Sequence, residues 1–103
     1  MIYIKIHSTE NGDMIGMCDS DLLGKILKEG EIEINLREYS DFYKGELGNE
    51  EKVLKMLKPE KLVSANVVGK ESVSAAVKAG VIERASIKKI DKTPYAYAFR
   101  IKY

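Results

Sequence analysis

Residues 2–7 alternate without a break, with Ile2, Ile4 and Ile6 set against Tyr3, Lys5 and His7. A period of two belongs to a half-buried strand, and a helix cannot use it. Asn11-Gly12 follows at hairpin distance, and residues 14–18 return with Ile15 and Met17 in step. With Asn11 and Gly12 as the two central turn residues, Lys5 faces Cys18, Ile6 faces Met17 and His7 faces Gly16. That register gathers Ile2, Ile4, Ile6, Ile15 and Met17 on one face. The chain therefore opens with a hairpin whose apolar side the rest of the molecule must cover.

The remaining pattern supplies that cover. Asp19 or Ser20 can cap a short helix carrying Leu22, Leu23, Ile26 and Leu27, with Gly30 as its stop. Residues 31–37 alternate again, with Ile32, Ile34 and Leu36 inward. The polar and aromatic stretch REYSDFYKGELG reads as a loop. Asn49 caps a helix with Glu50 and Glu51 in its first turn and Lys55 and Lys58 in its last, and Pro59 closes it. A strand over 62–68, Gly69, a helix over 70–79 ending at Gly80, and a short strand over 87–90 come next. After a turn at Asp91-Lys92-Thr93-Pro94, a last strand over 95–102 places Tyr95, Tyr97, Phe99 and Ile101 on one face, with Phe99 in the core. The order ββαβ-loop-αβαββ predicts a single small α+β domain spanning 1–103, with a mixed, mostly antiparallel sheet and about three helices.

Composition narrows the function classes. A chain of 103 residues with 45% apolar content can bury one core. There is no apolar run of membrane-spanning length, and the N-terminus lacks the pattern of a secretory signal, so a cytoplasmic, membrane-free location is expected. The single cysteine, Cys18, excludes an internal disulfide and suits a reducing compartment. Charge is nearly balanced overall, with 17 Lys+Arg against 16 Asp+Glu, but it is unevenly placed. Residues 1–57 hold 7 basic and 12 acidic side chains; residues 58–103 hold 10 and 4. Such a split points to polyanion contact on the basic side.

Four groups of residues could carry chemistry. Cys18, with Lys5 and His7 across the hairpin, is the sole arrangement that could hold a nucleophile, since a nearby cation lowers a thiol pKa. The plainer reading is a small apolar residue in the core. One Cys and one His cannot supply a zinc site, so no metal is expected, and no nucleotide or cofactor motif is present, so no cofactor is expected. Gly69, Lys70 and Ser72 form a strand-to-helix turn whose backbone N–H groups could face an anion, against a purely structural turn as the alternative. Lys88, Lys89, Lys92 and Arg100 surround the aromatic strand, a composition used for single-stranded nucleic acid, with Tyr95 as the candidate stacking ring. Phe42 and Tyr43 sit in the segment 42–46 with Lys44, Gly45 and Glu46; one of the two rings could anchor the loop while the other meets a partner.

Several of these segments resemble the archaeal domain-of-unknown-function 424 family over nearly the whole length. The resemblance rests on IYIKIH, on Cys18-Asp19 followed by LLGK and Glu29-Gly30, on FYKGE, and on ANVVGKESV with AVKAGVI. It implies a small cytoplasmic archaeal protein linked to RNA or translation, within a family that has no settled activity. Members tend to carry a Gly-x-Pro-His-Ala-like segment where this chain has Lys92-Thr93-Pro94-Tyr95-Ala96, so no histidine role carries over.

Three functions follow as expectations. The first is a non-enzymatic RNA-binding or translation-associated module using Lys70, Lys88, Lys89, Lys92, Tyr95 and Arg100, with RNA or a ribonucleoprotein as partner. The second is an enzyme or small-ligand protein around Cys18, Lys5, His7 and the 42–46 loop. The third is a protein-interaction subunit of a larger assembly.

Overall fold

The structure, a computed structural model, describes residues 1–100. Its described residues form a six-stranded sheet and a separate two-stranded hairpin. The chain runs β1 (Ile2–Thr9), β2 (Gly12–Asp19), β3 (Ile26–Glu29), β4 (Ile32–Asn35), α1 (Ser40–Tyr43), β5 (Glu46–Gly48), α2 (Glu50–Met56), β6 (Leu62–Val68), α3 (Lys70–Lys78), β7 (Lys88–Ile90) and β8 (Thr93–Phe99), with short 3-10 turns at Pro59–Lys61 and Arg84–Ser86. Strand order in the large sheet is β5-β1-β2-β6-β8-β7. β2 and β6 are parallel, and every other neighbouring pair is antiparallel. The described residues form an α+β domain with three α-helices.

Both faces of the sheet are covered, by different means. α2 and α3 pack on one face, where Ile2, Ile4, Ile15, Met17, Val67 and Ala96 join Val53, Val73 and Ala76. On the other face Cys18, Val68 and Ile90 meet Leu27 and Leu36 of the β3–β4 region and Tyr43 of α1. The opening hairpin carries the apolar face expected of it, but its register is different: Ile4 pairs with Met17 and Ile6 with Ile15. Neither Glu10 nor Asn11 takes a positive φ, whereas Gly12 does, at 130°. The turn is therefore centred on Glu10-Asn11, and Asn11-Gly12 does not supply the double left-handed pair of a type I′ turn. Thr9 reinforces it, its hydroxyl donating to the Gly12 carbonyl at 2.6 Å and accepting from the Asn11 N–H at 3.2 Å. A slip of two residues preserves every side chain's face, but it sets Cys18 opposite Tyr3, Lys5 opposite Gly16 and His7 opposite Met14.

Two predicted features give way to other structure. The helix over Leu22–Leu27 does not form: Gly24 takes φ 89°, and Ile26–Glu29 pairs instead with Ile32–Asn35 around a Gly30 turn. Leu27 and Leu36 are buried, while Ile32 lies 51% exposed rather than inward. The aromatic strand is turned over. Ala96 and Ala98 face the helices, where α3 presents Ala75 and Ala76, and small residues on both sides allow close approach. Tyr97 and Phe99 consequently point away from that core, at 55% and 58% exposure. The polar stretch read as a loop contains α1 and β5. Ile101 and Lys102 of the predicted last strand lie outside the described residues.

One buried carboxylate ties the two halves of the fold together. Asp19, at the end of β2, is 7% exposed and accepts from the Ser72 N–H at 2.8 Å, the Ser72 hydroxyl at 2.9 Å and the Glu71 N–H at 3.2 Å. These are otherwise orphan donors in the first turn of α3, and a carboxylate there also meets the positive end of the helix dipole. Gly69 makes the approach possible. Its φ is 110°, and a Cβ added there would collide with the Asp19 carboxyl group. Asp19→Ala is expected to cost about 3 kcal/mol, from the lost cap and the stranded Ser72 hydroxyl. Asp19→Asn, which keeps one acceptor, should cost less, and Gly69→Ala should destabilise at least as much as Asp19→Ala. Urea unfolding midpoints test the ranking, and an Asp19→Ala variant as stable as the parent would refute it.

Candidate functional site

The side of the sheet opposite α2 and α3 is where the exposed rings and the open space lie. Alternation along the paired strands places Tyr3, Lys5 and His7 of β1, Met14, Gly16 and Cys18 of β2, Ser64, Asn66 and Val68 of β6, and Tyr95, Tyr97 and Phe99 of β8 on this side. The segment 34–43 covers part of it. Lys5 Nζ donates to the Asp41 carbonyl at 2.8 Å, and His7 Nε2 lies 3.0 Å from the Phe42 carbonyl oxygen. The His7 ring stacks on Phe42 with centroids 4.7 Å apart, and Phe42 meets Tyr43 edge-on at 5.2 Å. Gly16 lies directly beneath: a Cβ there would sit 2.5 Å from the Phe42 carbonyl oxygen and 2.7 Å from its ring.

Beyond this cover the face opens into a cleft of about 370 Å³, lined by Ile34, Tyr39, Phe42, Tyr43 and Asn66 among others. A smaller cavity of about 140 Å³ shares Ile34, Tyr43 and Asn66 with it and extends to Tyr95 and Tyr97. Of the two adjacent aromatics, Tyr43 is the buried anchor, its phenol pushed up to about 12 by burial and the nearby Cys18. Phe42 is half-buried between His7 and Tyr43. Tyr95, the predicted stacking ring, packs against the second core. The exposed rings of β8 are its neighbours Tyr97 and Phe99. Sequence reasoning missed them because aromatic bulk was assigned to the interior; Ala96 and Ala98 opposite an alanine-rich helix were the overlooked signal.

The predicted basic residues do not converge on one patch. Lys70 and Arg84 line a groove of about 290 Å³ beside α3, together with Ser74 and Lys78, and Lys78 is paired with Glu50 at 2.6 Å. Lys89 faces Pro94, another lining residue, so it stands on the groove side; Lys88 faces Tyr95 on the ring side. Lys92 sits in the β7–β8 turn at φ 67° beside Asp91 at 46°. Arg100 is held in the fold, its guanidinium donating to the Pro59 carbonyl at 3.1 Å and the Gly80 carbonyl at 2.9 Å. At the turn formed by Gly69, Lys70 and Ser72, the anion received is the chain's own Asp19 carboxylate, and Ser72 is fully buried. Lys70 alone of those three stays exposed with its charge outward.

Cys18 is not placed as a nucleophile. It is 0% exposed, opposite Tyr3, while Lys5 and His7 are engaged with Asp41 and Phe42. Burial, aided by the Asp19 and Asp21 carboxylates, pushes its thiol up to about 12. Among the described residues no group of three or more His, Cys, Asp or Glu side chains could hold a metal ion. The raised pKa fixes a sign. Below about 9 the thiol is protonated in both folded and unfolded chains; above it the unfolded chain ionises first. Stability should therefore fall as pH rises from about 9 towards 12, with Tyr43 contributing over the upper part of that window. At pH 8 iodoacetamide should modify Cys18 far more slowly in the native protein than in urea, and equal rates would contradict this placement.

With the geometry in place, comparison with known proteins identifies the group but not its work. No curated protein matches the chain. The crystal structure of an uncharacterized conserved protein from Methanopyrus kandleri is similar at TM-score 0.78 and 25% identity, covering 99% of this chain and 96% of that one. No helix of the described residues is long and apolar enough to cross a membrane. A family model described as a protein of unknown function matches residues 6–101, and on that match this chain belongs to the DUF424 family.

Proposed function

We propose that this protein binds single-stranded RNA through the ring-bearing face of its sheet. The observation that carries the reading is the outward placement of Tyr97 and Phe99 on consecutive same-face positions of β8, at 55% and 58% exposure. Two large rings held in line by a strand, with no core role, form a platform of the kind on which successive bases stack. β7 pairs only with Thr93–Tyr95, so on that side no strand of the described residues pairs with β8 beyond Tyr95, and a chain can approach the platform along this edge. Lys88 stands on the ring face of that edge, Lys92 in its turn, and Lys89, Lys70 and Arg84 on its far side. A backbone crossing the edge would meet these cations after leaving the rings. Arg100 is not part of the set, because its guanidinium already serves two carbonyls.

Against the enzyme alternative stands the burial of Cys18, which pushes its thiol up to about 12. Fluorescence anisotropy with a labelled single-stranded RNA at several salt concentrations tests the proposal. Binding should weaken with salt, each phosphate contact adding about 0.7 to the log–log slope. Tyr97→Ala with Phe99→Ala should lower affinity about tenfold or more while leaving the slope unchanged, since stacking contributes about 1–3 kcal/mol per base. Lys88→Gln with Lys89→Gln should reduce the slope. No binding at low salt, or a ring-deleted variant that binds like the parent, would end the proposal.

A further inference from the structure

We infer that the cleft beside the ring platform is a nucleobase pocket in which the Asn66 side-chain amide hydrogen-bonds the edge of an unstacked base. This rests on the RNA-binding reading and deepens it from a stacking surface to one with a base-binding pocket.

The argument begins with how poorly Asn66 suits its position. It lies in the middle of β6, a central strand whose other members include the buried Leu62, Ser64, Ala65, Val67 and Val68. Asparagine is depleted in strands, and an amide brings two donor hydrogens and an acceptor oxygen that must go somewhere. Ser64, on the same face of β6, is buried, and Asp19, at the end of β2, is buried and fully engaged with α3. The Asn66 amide has no hydrogen-bond partner among the described residues. Nor is it sealed in, because no enclosed side-chain polar atom of the described residues lacks a partner. An amide that is half-buried, unpartnered and still reachable opens onto the space above it.

That space has the form a flat ring requires. Asn66 pairs with Tyr97 on one side and with Gly16 on the other. Gly16 has no side chain, and the Phe42 ring occupies its place. Asn66 is thus the floor of a trough with aromatic walls, Tyr97 to one side and Phe42 and Tyr43 to the other, and it lines both cavities found there. The larger cavity, about 370 Å³, falls in the size range of small-ligand sites, about 300–1,000 Å³. Rings beside the Asn66 amide, with Glu33 and Asn35 also lining the larger cavity, give the mixed apolar and polar walls by which unstacked bases are held. A single Asn amide can donate and accept side by side, and each unpaired base exposes an edge with an adjacent donor and acceptor to match it. Placement beside Tyr97 makes the pocket continuous with the platform, so one nucleotide of a bound strand would enter while its neighbours stack outside.

The test titrates a labelled single-stranded RNA into the parent and into Asn66→Val, and follows the Asn66 side-chain amide resonance of the parent. That resonance should move on binding, and Asn66→Val should lower affinity about tenfold or more with the salt slope unchanged, the scale of one bidentate amide contact. The variant's melting temperature should be unchanged or higher, because a β-branched residue suits the strand and no structural hydrogen bond is lost. A lowered melting temperature would assign the amide to the fold and overturn the inference. RNA binding that leaves the amide resonance unmoved, or that Asn66→Val leaves undiminished, would overturn it while the RNA-binding reading stands. If the parent binds no RNA, that reading fails, and adenosine monophosphate is titrated while the Asn66 side-chain amide resonance is followed: movement there upholds the pocket, and its absence overturns it.

Discussion

Everything in the central part of this fold depends on a carboxylate placed where an external anion could otherwise sit. Asp19 closes β2 and at the same time supplies the cap that α3 lacks, since the N-cap residue Gly69 has no side chain to do it. The two residues are required together: Asp19 is needed by the helix, and Gly69 is needed by Asp19. Their pairing locks the β6–α3 corner against the parallel neighbour β2, and it neutralises the one helix N-terminus in the chain that resembled a phosphate cradle. Chemistry that reads as ligand binding in sequence is spent here on internal cohesion. The basic excess of the second half is therefore not organised around this corner, and only Lys70 projects from it.

The other organising fact is that the sheet is covered twice, and unequally. Two helices make a continuous core on one side. On the reverse, a short hairpin and a one-turn helix cover the half of the sheet nearest Cys18 and stop there, secured by Lys5 and His7 reaching for backbone carbonyls and by Phe42 settling over Gly16. Residues that looked like a catalytic set are fasteners for this partial cover. Where the cover ends, Asn66 and the rings of β8 are left facing outward.

Legibility in the sequence followed from how local the determining interaction was. The face pattern of β1 and β2, the Asn49 cap whose Oδ1 accepts from Lys52 N at 2.9 Å, the β6 strand and the α3 helix depend on neighbouring residues and could be read directly. Hairpin register was wrong by two because Asn11-Gly12 signals a turn centre, whereas Gly12 follows a turn centred on Glu10-Asn11 that the Thr9 hydroxyl secures. The segment 22–29 satisfied a helical spacing just as well as a strand; pairing with Ile32–Asn35, a contact across the Gly30 turn, settled it. Inversion of β8 had a different origin. Hydrophobicity ranks Tyr and Phe above Ala for burial, but β8 meets α3 alanine against alanine, Ala96 and Ala98 in the core with Ala75 and Ala76. The ring platform was hidden in the sequence because it follows from helix-to-sheet spacing, and Asn66 was hidden because a lone asparagine announces nothing until its neighbours are known.

Strand order carries one more implication, for the time at which this molecule is made. β8 is the eighth strand in chain order, yet it lies between β6 and β7, so neither of those strands has its sheet partner on that side until β8 is present. β6 reaches β2 only after a long connection, and its opposite edge stays open while α3 and β7 are synthesised. Pairing over such separations is slow because loop closure must precede any gain, and an exposed strand edge invites association with other chains. The growing chain thus holds an incomplete sheet through most of its synthesis. Completion comes with the same strand that carries Tyr97 and Phe99, so the exposed rings and the closure of the fold arrive together.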